Sequence, residues 1–265
     1  MERDLLDISG KRVLLVGATG VLGRAFATEL SDRGASLVLA DQAESDVLAF
    51  SKSLGREVEG VVLDLSDEPS VVAGVSRAGE VLGGFDAVVN NAAITSEGLL
   101  RAGDPSAPFE SYPTELFRMA LEVNLVGTFL VAREVGRQMK AAGKGGTVIN
   151  VSSTYGVVAP DHRIYRGLPL SSPAGYAASK AGVIGLTRWL ASWWGDEGIR
   201  VNCIVPGGVF NDHDERFTEA YGNRVPLGRM AEREELTGML VYLVSDASSY
   251  CTGQSYLVDG GLTAW

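Results

Sequence analysis

Short apolar runs rich in β-branched residues recur along this chain and alternate with longer stretches of helical periodicity. The runs lack the apolar–polar alternation of a half-buried strand, which is the pattern of parallel strands covered on both faces. The six clearest runs lie at 12–17, 36–41, 60–65, 86–91, 147–152 and 200–205. Strand, helix and strand in repeated succession predict a doubly wound α/β sheet of the Rossmann type, with about seven strands.

A single domain over residues 1–265 is expected, because 46% of the residues are hydrophobic and no low-complexity tract or linker divides the chain. One helix is predicted over 21–33, ending at Gly34, and another from a Ser66 cap to about Leu82. The stretches 94–112 and 157–175 lack clear periodicity and follow predicted strands. We expect both at the carboxyl edge of the sheet, where ligands bind in this architecture.

The charge balance excludes several classes of protein. With 33 acidic and 23 basic residues the formal charge is −10, which argues against nucleic acid as a partner. No apolar run approaches the length of about 20 residues that a membrane span needs, and the polar start favours the cytoplasm. Cys203 and Cys251 lack metal-ligand or C-x-x-C spacing, so neither a metal site nor a disulfide is expected.

A glycine-rich run, GATGVLG at 17–23, follows the first strand and opens an amphipathic helix. Glycine permits the tight turn and lets a pyrophosphate approach the N–H groups at the helix N-terminus. Asp41 ends the second strand, where a carboxylate accepts hydrogen bonds from the adenosine ribose and repels the 2′-phosphate of NADP. Gln42, not an arginine, follows it, so NAD is favoured. The alternatives are a plain glycine-rich turn, and an Asp41 that starts the helix at 43–54.

Further motifs appear in a fixed order along the chain. They are Asn90-Asn91-Ala92-Ala93, Asn124, Ser153, Tyr176-Ala177-Ala178-Ser179-Lys180, Pro206-Gly207, PLGR at 226–229, SDASSYCTGQ at 245–254 and Val258-Asp259-Gly260-Gly261. Over nearly the whole chain this set resembles the short-chain dehydrogenase/reductase family. The resemblance implies an oxidoreductase with Asn90 beside a nicotinamide cofactor and Asp64 at the adenine. The cofactor contacts it implies are Gly17, Thr19, Gly20, Val21, Leu22, Gly23, Asp41, Asp64, Leu65, Asn91, Ala92, Ala93, Tyr176, Lys180, Pro206, Gly207 and Val209.

The chain departs from the family pattern in three places. Its glycine loop reads G-x-x-G-x-x-G, with Val21 where the family's short form has a glycine; this spacing is more typical of the extended branch. NNAA replaces the common NNAG, which adds a methyl group at Ala93. Asn211 lies in the region where the family often has a threonine that binds the nicotinamide carboxamide. We expect a working phosphate loop with shifted contacts.

Tyr176 and Lys180 have the spacing of an acid–base pair. On a helix, side chains four apart share one face. A tyrosine hydroxyl has a pKa of about 10, so a nearby cation must favour the phenolate if it is to act as a base at neutral pH. We therefore expect Lys180, helped by a positive nicotinamide, to lower the pKa of Tyr176, which exchanges a proton with the substrate oxygen.

Two more residues complete the expected catalytic set. Ser153 is selected over Ser152 because the family pattern places the catalytic serine three residues before Gly156; its hydroxyl would stabilise the substrate oxygen. Asn124 matches the family residue that supports a proton-relaying water. A helix-internal amide that satisfies a backbone group is the compatible alternative for Asn124, and Ser152 is the structural alternative to Ser153.

The stretch between Ser153 and Tyr176 is longer than in the family, which makes 157–175 an insertion beside the active site. It holds a cluster of Asp161, His162, Arg163, Tyr165 and Arg166. Arg163 and Arg166 suggest an anionic substrate such as a sugar acid or sugar phosphate, since arginine binds carboxylates and phosphates with paired hydrogen bonds. Salt bridges within the loop or to another subunit are the alternative. The insertion also loosely resembles that of family members in bacterial surface-sugar pathways.

The segment 207–230 corresponds to the family's mobile substrate lid, and its polar composition fits a hydroxylated small molecule. His213 in this lid is interpreted as solvent-facing. Trp189 and Trp193 are four apart on the Tyr176 helix and are expected in the core or at an interface. The resemblance implies a homotetramer, with a dimer as the second choice.

Two other functions compete with an NAD-dependent alcohol dehydrogenase or ketone reductase. A non-catalytic NAD sensor or scaffold would need no proton acid, so the intact serine, tyrosine, lysine and asparagine argue against it. A 3-oxoacyl or quinone-type reductase using NADH is the other, and the polar lid and the arginines weigh against it.

Overall fold

The computed structural model describes residues 4–54, 58–168 and 171–265. Within these ranges seven strands form one parallel sheet, in the order β3-β2-β1-β4-β5-β6-β7. The strands are β1 (Arg12–Val16), β2 (Ser36–Asp41), β3 (Glu59–Val62), β4 (Ala87–Asn90), β5 (Gly146–Val151), β6 (Ile199–Pro206) and β7 (Ser255–Val258). The predicted single-domain, doubly wound sheet is confirmed. Pro169 and Leu170 of the predicted insertion lie outside the described residues.

Helices connect the strands. They are α1 (Val21–Asp32), α2 (Glu44–Ser53), α3 (Glu68–Leu82), α4 (Ser96–Leu99), α5 (Thr114–Leu121), α6 (Gly127–Ala142), α7 (Ala174–Trp194), α8 (Glu215–Gly222) and α9 (Thr237–Val244). No helix among the described residues has both the length and the apolar character needed to cross a membrane.

The central strand β1 shows why the sequence lacks alternation. Val13 and Leu15 pack on one face of the sheet against α1 and α9. Leu14 and Val16 pack on the other face against α3, α6 and α7. Because helices cover both faces, every position from Val13 to Val16 is buried and apolar.

The helix boundaries follow the predictions with one correction. Gly34 takes a left-handed conformation (φ +81°) just after α1, as expected of the residue that ends a helix. Ser66, however, does not cap α3. The helix begins one residue later than that cap implies, because Asp67 accepts a hydrogen bond from the backbone N–H of Ser70. The Ser66 hydroxyl donates to Asp64 instead.

The order of strands reverses between β1 and β4, which lie side by side although two strands separate them in the sequence. Val16 and Asn90 are paired at the carboxyl ends of these strands. The loops that follow them therefore diverge from adjacent points and leave a crevice between them, the usual ligand site of an open α/β sheet.

Candidate active site

A cavity of about 1430 Å³ opens at this carboxyl edge. Most of the predicted site residues line it: Gly17, Thr19, Gly20, Val21, Leu22, Asp41, Asp64, Leu65, Asn91, Ala92, Ala93, Ser153, Tyr176, Lys180, Pro206, Gly207 and Val209. Gly23, Asn124, Arg163 and Arg166 are not among its lining residues. The fold thus brings the proposed cofactor contacts and the proposed catalytic side chains into one space.

The three glycines of the first loop differ in what they do. Gly17 has φ +81°, and a Cβ there would lie 2.4 Å from the Ala92 backbone, so only glycine fits. A Cβ on Gly23 would lie 2.0 Å from the Gly17 carbonyl oxygen, so this glycine packs α1 against the loop instead of lining the cavity. At Gly20 a Cβ would meet only the Gly17 oxygen, at 3.7 Å, and would otherwise point into open space.

Gly20 is also the N-cap of α1, where no side chain accepts a hydrogen bond from the first turn and no acidic residue stands in that turn. The free N–H groups and the positive end of the helix dipole therefore face the cavity. This arrangement fits the pyrophosphate of a dinucleotide. Gly20 is the second glycine of the loop and stands one place earlier than in the family pattern. This shift does not disturb the arrangement, because Gly20 has an ordinary φ of −69°.

Asp41 is held at the end of β2 by three hydrogen bonds. Its Oδ2 accepts from the backbone N–H of Thr19 at 3.0 Å and from the Thr19 hydroxyl at 2.8 Å, and its Oδ1 accepts from the N–H of Gln42 at 2.8 Å. It does not cap α2, which begins at Glu44 with Ala43 as its N-cap. The carboxylate retains lone pairs for a ribose hydroxyl, because its two oxygens have about four acceptor sites.

Asp64, the residue expected at the adenine, follows β3 and lines the cavity. Asp64 accepts hydrogen bonds from the backbone N–H and the hydroxyl of Ser66, at 2.9 and 2.7 Å. The Asp64 N–H in turn donates to the Ser70 hydroxyl, which fixes the turn into α3. Leu65 lines the cavity beside it and packs closely against Gly127 of α6.

The two asparagines at the carboxyl end of β4 have different roles. Asn91 lines the cavity and its amide donates to the Gly17 carbonyl at 2.8 Å, tying the two loops together. Asn90 is buried and donates to Asn150 on β5 at 2.9 Å. The expectation that Asn90 lies beside the cofactor is wrong for its side chain. The side chain of Asn90, the last residue of β4, points into the protein. Of the two asparagines, only Asn91 reaches the crevice.

Ser153 and Ser152 lie at the end of β5 and are distinguished by their partners. The Ser152 side chain is buried, and its hydroxyl donates to the backbone carbonyl of Lys180 at 2.8 Å. Ser153 is half-buried on the cavity wall, and its hydroxyl hydrogen-bonds the Tyr176 side chain. Ser152 therefore joins β5 to α7, whereas Ser153 is available to a ligand.

Lys180 is almost fully buried, with 2% of its surface exposed. Its ammonium donates to the Val151 carbonyl at 2.8 Å and lies 5.8 Å from the centre of the Tyr176 ring. Burial lowers the pKa of Lys180 to about 8. The two side chains share one face of α7, as the spacing predicts.

The prediction that Lys180 lowers the pKa of Tyr176 is wrong when only the groups of the protein itself are considered. Burial raises the pKa of Tyr176, and the hydrogen bond from Ser153 opposes this only in part. The reason is geometric, since the Lys180 ammonium is directed to a backbone carbonyl and not to the Tyr176 hydroxyl. Within the protein, Tyr176 is therefore set to hold its proton.

Asn124 lies in a π-helical segment, Glu122–Val126, between α5 and α6. Its buried amide accepts from the N–H of Ile94 at 2.7 Å and donates to the carbonyl of Ile94 at 3.1 Å and to the Ser179 hydroxyl at 3.0 Å. These bonds join the chain after β4 to α7. The side chain satisfies backbone groups, which is the alternative that the sequence left open.

The arginines of the insertion do not enter the cavity, so the expectation that they bind substrate is not supported. Arg163 is 72% exposed and pairs with Asp161 at 2.8 Å, and Arg166 is exposed. Arg224 of the predicted lid also binds the Asp161 carboxylate. The alternative of a salt bridge within the loop therefore describes Arg163, because Asp161, two residues earlier, already binds its guanidinium.

Other residues in or next to the insertion and the lid do line the cavity, although the sequence did not single them out as site residues. They are Tyr155, Tyr165, Leu168, Ser171, Ser172, His213, Asp214, Phe217 and Tyr221. The expectation that His213 faces only solvent is therefore wrong. Asn211, the expected replacement for the family threonine, also lines the cavity. The aromatic content of both segments is the signal that could have identified several of them.

Comparison with known proteins agrees with the fold and the motifs. A family model described as enoyl-(acyl carrier protein) reductase matches residues 17–263. The trans-4-hydroxycyclohexanecarboxylate dehydrogenase of Sinomonas cyclohexanicum is 35% identical and aligns over 100% of this chain and 97% of its own.

Solved structures are similar over the same length. A short-chain dehydrogenase from Leptospira borgpetersenii with bound NAD+ is 32% identical, with a TM-score of 0.87 over 99% of this chain and 97% of its own. A gluconate 5-dehydrogenase from Burkholderia cenocepacia, in complex with NADP and tartrate, is 29% identical, with a TM-score of 0.87 over 99% and 98%. By its motifs, its sheet and these full-length matches, the chain belongs to the short-chain dehydrogenase/reductase family of oxidoreductases.

Proposed function

We propose that this protein is an NAD-dependent oxidoreductase that interconverts a secondary alcohol and a ketone on a small, polar, ring- or polyol-like substrate. The observation that carries the proposal is the convergence of Ser153, Tyr176 and Lys180 on one wall of the cavity that also contains the glycine loop and Asp41. The relative from Sinomonas cyclohexanicum, a hydroxycyclohexanecarboxylate dehydrogenase by name, supports a ring alcohol as one substrate class.

A bound nicotinamide supplies the hydride acceptor for oxidation and the hydride donor for reduction. In reduction the Tyr176 hydroxyl, which burial keeps protonated, gives its proton to the ketone oxygen. Ser153 donates a hydrogen bond to the same substrate oxygen, on which negative charge develops. In oxidation the proton moves in the opposite direction, from the substrate hydroxyl to Tyr176 in its deprotonated form, which the positive charge of a bound oxidised nicotinamide would favour.

The preference for NAD rests on Asp41. Its carboxylate, fixed by Thr19 and Gln42, offers acceptors to ribose hydroxyls and a negative charge that repels a 2′-phosphate. We expect kcat/KM for NAD to exceed that for NADP at least about tenfold, a difference of about 1.4 kcal/mol. Asp41→Ser would narrow the ratio by raising NADP use. Equal use of both cofactors by the wild-type protein would refute the preference.

The activity is tested by NAD reduction with a panel of cyclic alcohols, polyols, sugar acids and 3-hydroxyacyl thioesters. Tyr176→Phe is expected to lower kcat at least about 100-fold and to keep NADH binding, measured by fluorescence. Binding of NADH without turnover of any alcohol or ketone would favour a sensor or scaffold. Turnover of the acyl thioesters alone would favour an acyl reductase, the class in the description of the matching family model.

The proposal includes a homotetramer in the cytoplasm. Trp189 and Trp193 on α7 are 58% and 61% exposed and stack with their ring centres 5.3 Å apart. Two exposed indoles side by side form an apolar patch of the kind that subunits cover. Analytical ultracentrifugation is expected to give four times the 28.0 kDa chain mass, and Trp189→Glu with Trp193→Glu to give smaller species. A wild-type monomer would contradict the assembly.

A further inference from the structure

Two tyrosine hydroxyls meet on the wall of the active-site cavity. Tyr155 follows Ser153 by two residues, and its backbone N–H donates to the Ser153 hydroxyl at 3.2 Å. Tyr165 comes from the 157–175 insertion. The two phenol oxygens are 2.8 Å apart, both side chains are half-buried, and both line the cavity. The insertion thus delivers one member of a hydroxyl pair to the neighbourhood of the catalytic serine.

The pair has unused hydrogen-bonding capacity. Each phenol has one hydrogen and lone pairs, and the mutual bond uses one hydrogen and one lone pair. Across the part of the chain that the structure describes, neither oxygen has another hydrogen-bond partner. One donor and at least one acceptor are therefore left on oxygens that border the cavity, which suits a ligand group that both accepts and donates.

The pair is also close to the reacting centre. The Tyr155 backbone N–H donates to the Ser153 hydroxyl, and both members of the pair line the same cavity as Tyr176. Burial is the main cause of the raised pKa of both members of the pair, so both stay protonated and uncharged at neutral pH. A substrate whose alcohol group contacts Tyr176 therefore lies near the two uncharged hydroxyls of Tyr155 and Tyr165.

Aromatic rings continue this wall toward α8. The ring centres of Tyr165 and Phe217 are 5.3 Å apart, those of His213 and Phe217 are 5.3 Å apart, and those of Phe217 and Tyr221 are 6.0 Å apart. All four side chains line the cavity. Such a surface packs well against the carbon face of a ring, which buries more apolar area at one place than a flexible chain does.

The arginines nearest the pair already bind a carboxylate. Arg163 and Arg224 both bind Asp161, and Arg118 pairs with Glu115 at 3.0 Å. Arg101 also lines the cavity, but it is solvent-exposed and comes from the segment after β4. A carboxylate is only an acceptor, so it would leave the acceptor sites of the pair unused, whereas a hydroxyl uses both kinds of site.

We infer that Tyr155 and Tyr165 form a subsite for a second, uncharged oxygen of the substrate, whose carbon ring lies against Phe217. The substrate class is then a cyclic alcohol that carries a further hydroxyl or carbonyl group. This inference rests on the proposed alcohol dehydrogenase function. It makes the insertion a specificity determinant through Tyr165, not through its arginines.

The test compares cyclohexanol with the 1,2-, 1,3- and 1,4-cyclohexanediols, using NAD and the wild-type protein, Tyr165→Phe and Tyr155→Phe. At least one diol is expected to exceed cyclohexanol in kcat/KM by about tenfold in the wild type. Each variant is expected to lower kcat/KM for that diol by about fivefold to tenfold and to leave cyclohexanol within twofold, since only the diol loses a hydrogen bond.

Tyr112→Phe is the matched control, because the Tyr112 hydroxyl is buried without a partner and lies outside the cavity lining. It should change neither substrate. Equal kcat/KM for cyclohexanol and every diol in the wild type, or equal losses on both substrates in Tyr165→Phe, would overturn the subsite alone. Higher efficiency with threitol than with any cyclic diol would also overturn it. No oxidation of any of these alcohols would overturn the proposed function itself.

Discussion

Separate replacements of Gly20 and Gly23 by alanine are expected to change different properties of the protein. Gly20→Ala should weaken cofactor binding, and Gly23→Ala should lower the stability of the fold. Gly20 has φ −69°, which alanine adopts freely, and its Cβ would point into the cavity with only the Gly17 oxygen nearby, at 3.7 Å. At Gly23 the Cβ would lie 2.0 Å from that same oxygen and 2.8 Å from the backbone of Ala18. The methyl group of Gly20→Ala would therefore occupy space in the cavity, whereas the methyl group of Gly23→Ala would clash with the loop backbone.

The magnitudes follow from these contacts. Alanine is a poorer N-cap than glycine, so Gly20→Ala should cost less than about 1 kcal/mol of unfolding free energy. Its methyl group in the phosphate space should weaken NADH binding at least about tenfold, or about 1.4 kcal/mol. Gly23→Ala gains about 1 kcal/mol of helix propensity, but displacing loop backbone costs more, as overpacking by one group costs about 1–3 kcal/mol and occasionally more. We expect a net loss of about 2 kcal/mol, or about 5 °C in Tm.

The assays are urea unfolding and thermal unfolding for stability, and NADH fluorescence titration for binding, with both variants beside the wild type. Gly20→Ala should unfold with the wild type and bind NADH weakly. Gly23→Ala should unfold earlier. Wild-type NADH affinity in Gly20→Ala would refute the assignment of Gly20 to the phosphate site, and wild-type stability in Gly23→Ala would refute the packing role of Gly23.

Three further predictions concern single side chains. Because burial lowers the pKa of Lys180 to about 8 from its usual 10.5, the unfolded chain binds the extra proton between these pH values and wild-type stability rises with pH across that window. Lys180→Met should therefore be more stable than the wild type below pH 8, by up to about 3 kcal/mol, with the advantage shrinking toward pH 10.5 in urea unfolding; a constant difference would contradict this. Ser152→Ala should lose about 1 kcal/mol of stability and keep its kcat, because it leaves a buried carbonyl unpaired, whereas Ser153→Ala should lose at least about tenfold in kcat with little change in stability; the reverse pattern would exchange their roles. Arg163→Ala should leave KM for sugar acids unchanged, since Asp161 already holds the guanidinium; a selective rise in Michaelis measurements would restore it as a substrate residue.

The sheet was predictable because each strand carries its own signal. Residues such as Val13 and Leu14 lie on opposite faces that are both covered by helices, so burial at both positions appears in the sequence as an uninterrupted apolar run. The glycine loop was predictable for a similar reason, since its turn and the helix after it are local. The α3 cap was missed by one residue because Ser66 and Asp67 are both good caps, and only the hydrogen bond to Ser70 decides between them.

The site residues follow the same rule: features set by local spacing were predictable, and features set by contacts between distant segments were not. Tyr176 and Lys180 share a helical face whatever surrounds them, so their spacing alone placed them together. Whether burial or the lysine charge decides the pKa of Tyr176 could not be predicted, since this depends on neighbours from β5 and on the backbone carbonyl that accepts the hydrogen bond from the lysine. Likewise nothing local shows that Asn90 turns into the sheet toward β5 while Asn91 reaches Gly17.

By itself, the sequence determined the doubly wound sheet, the edge of the sheet at which the cavity opens, and the identity of the tyrosine, lysine and serine that line this cavity. These follow from periodicity and from short spacings along one element. Only the tertiary structure decided that Asp161 holds Arg163, that Arg224 joins the lid to the insertion, and that Tyr155 and Tyr165 meet over the cavity. The physical reason is that a hydrogen bond or ion pair depends on distances between segments far apart in the chain, and those distances exist only once the sheet and its loops are assembled.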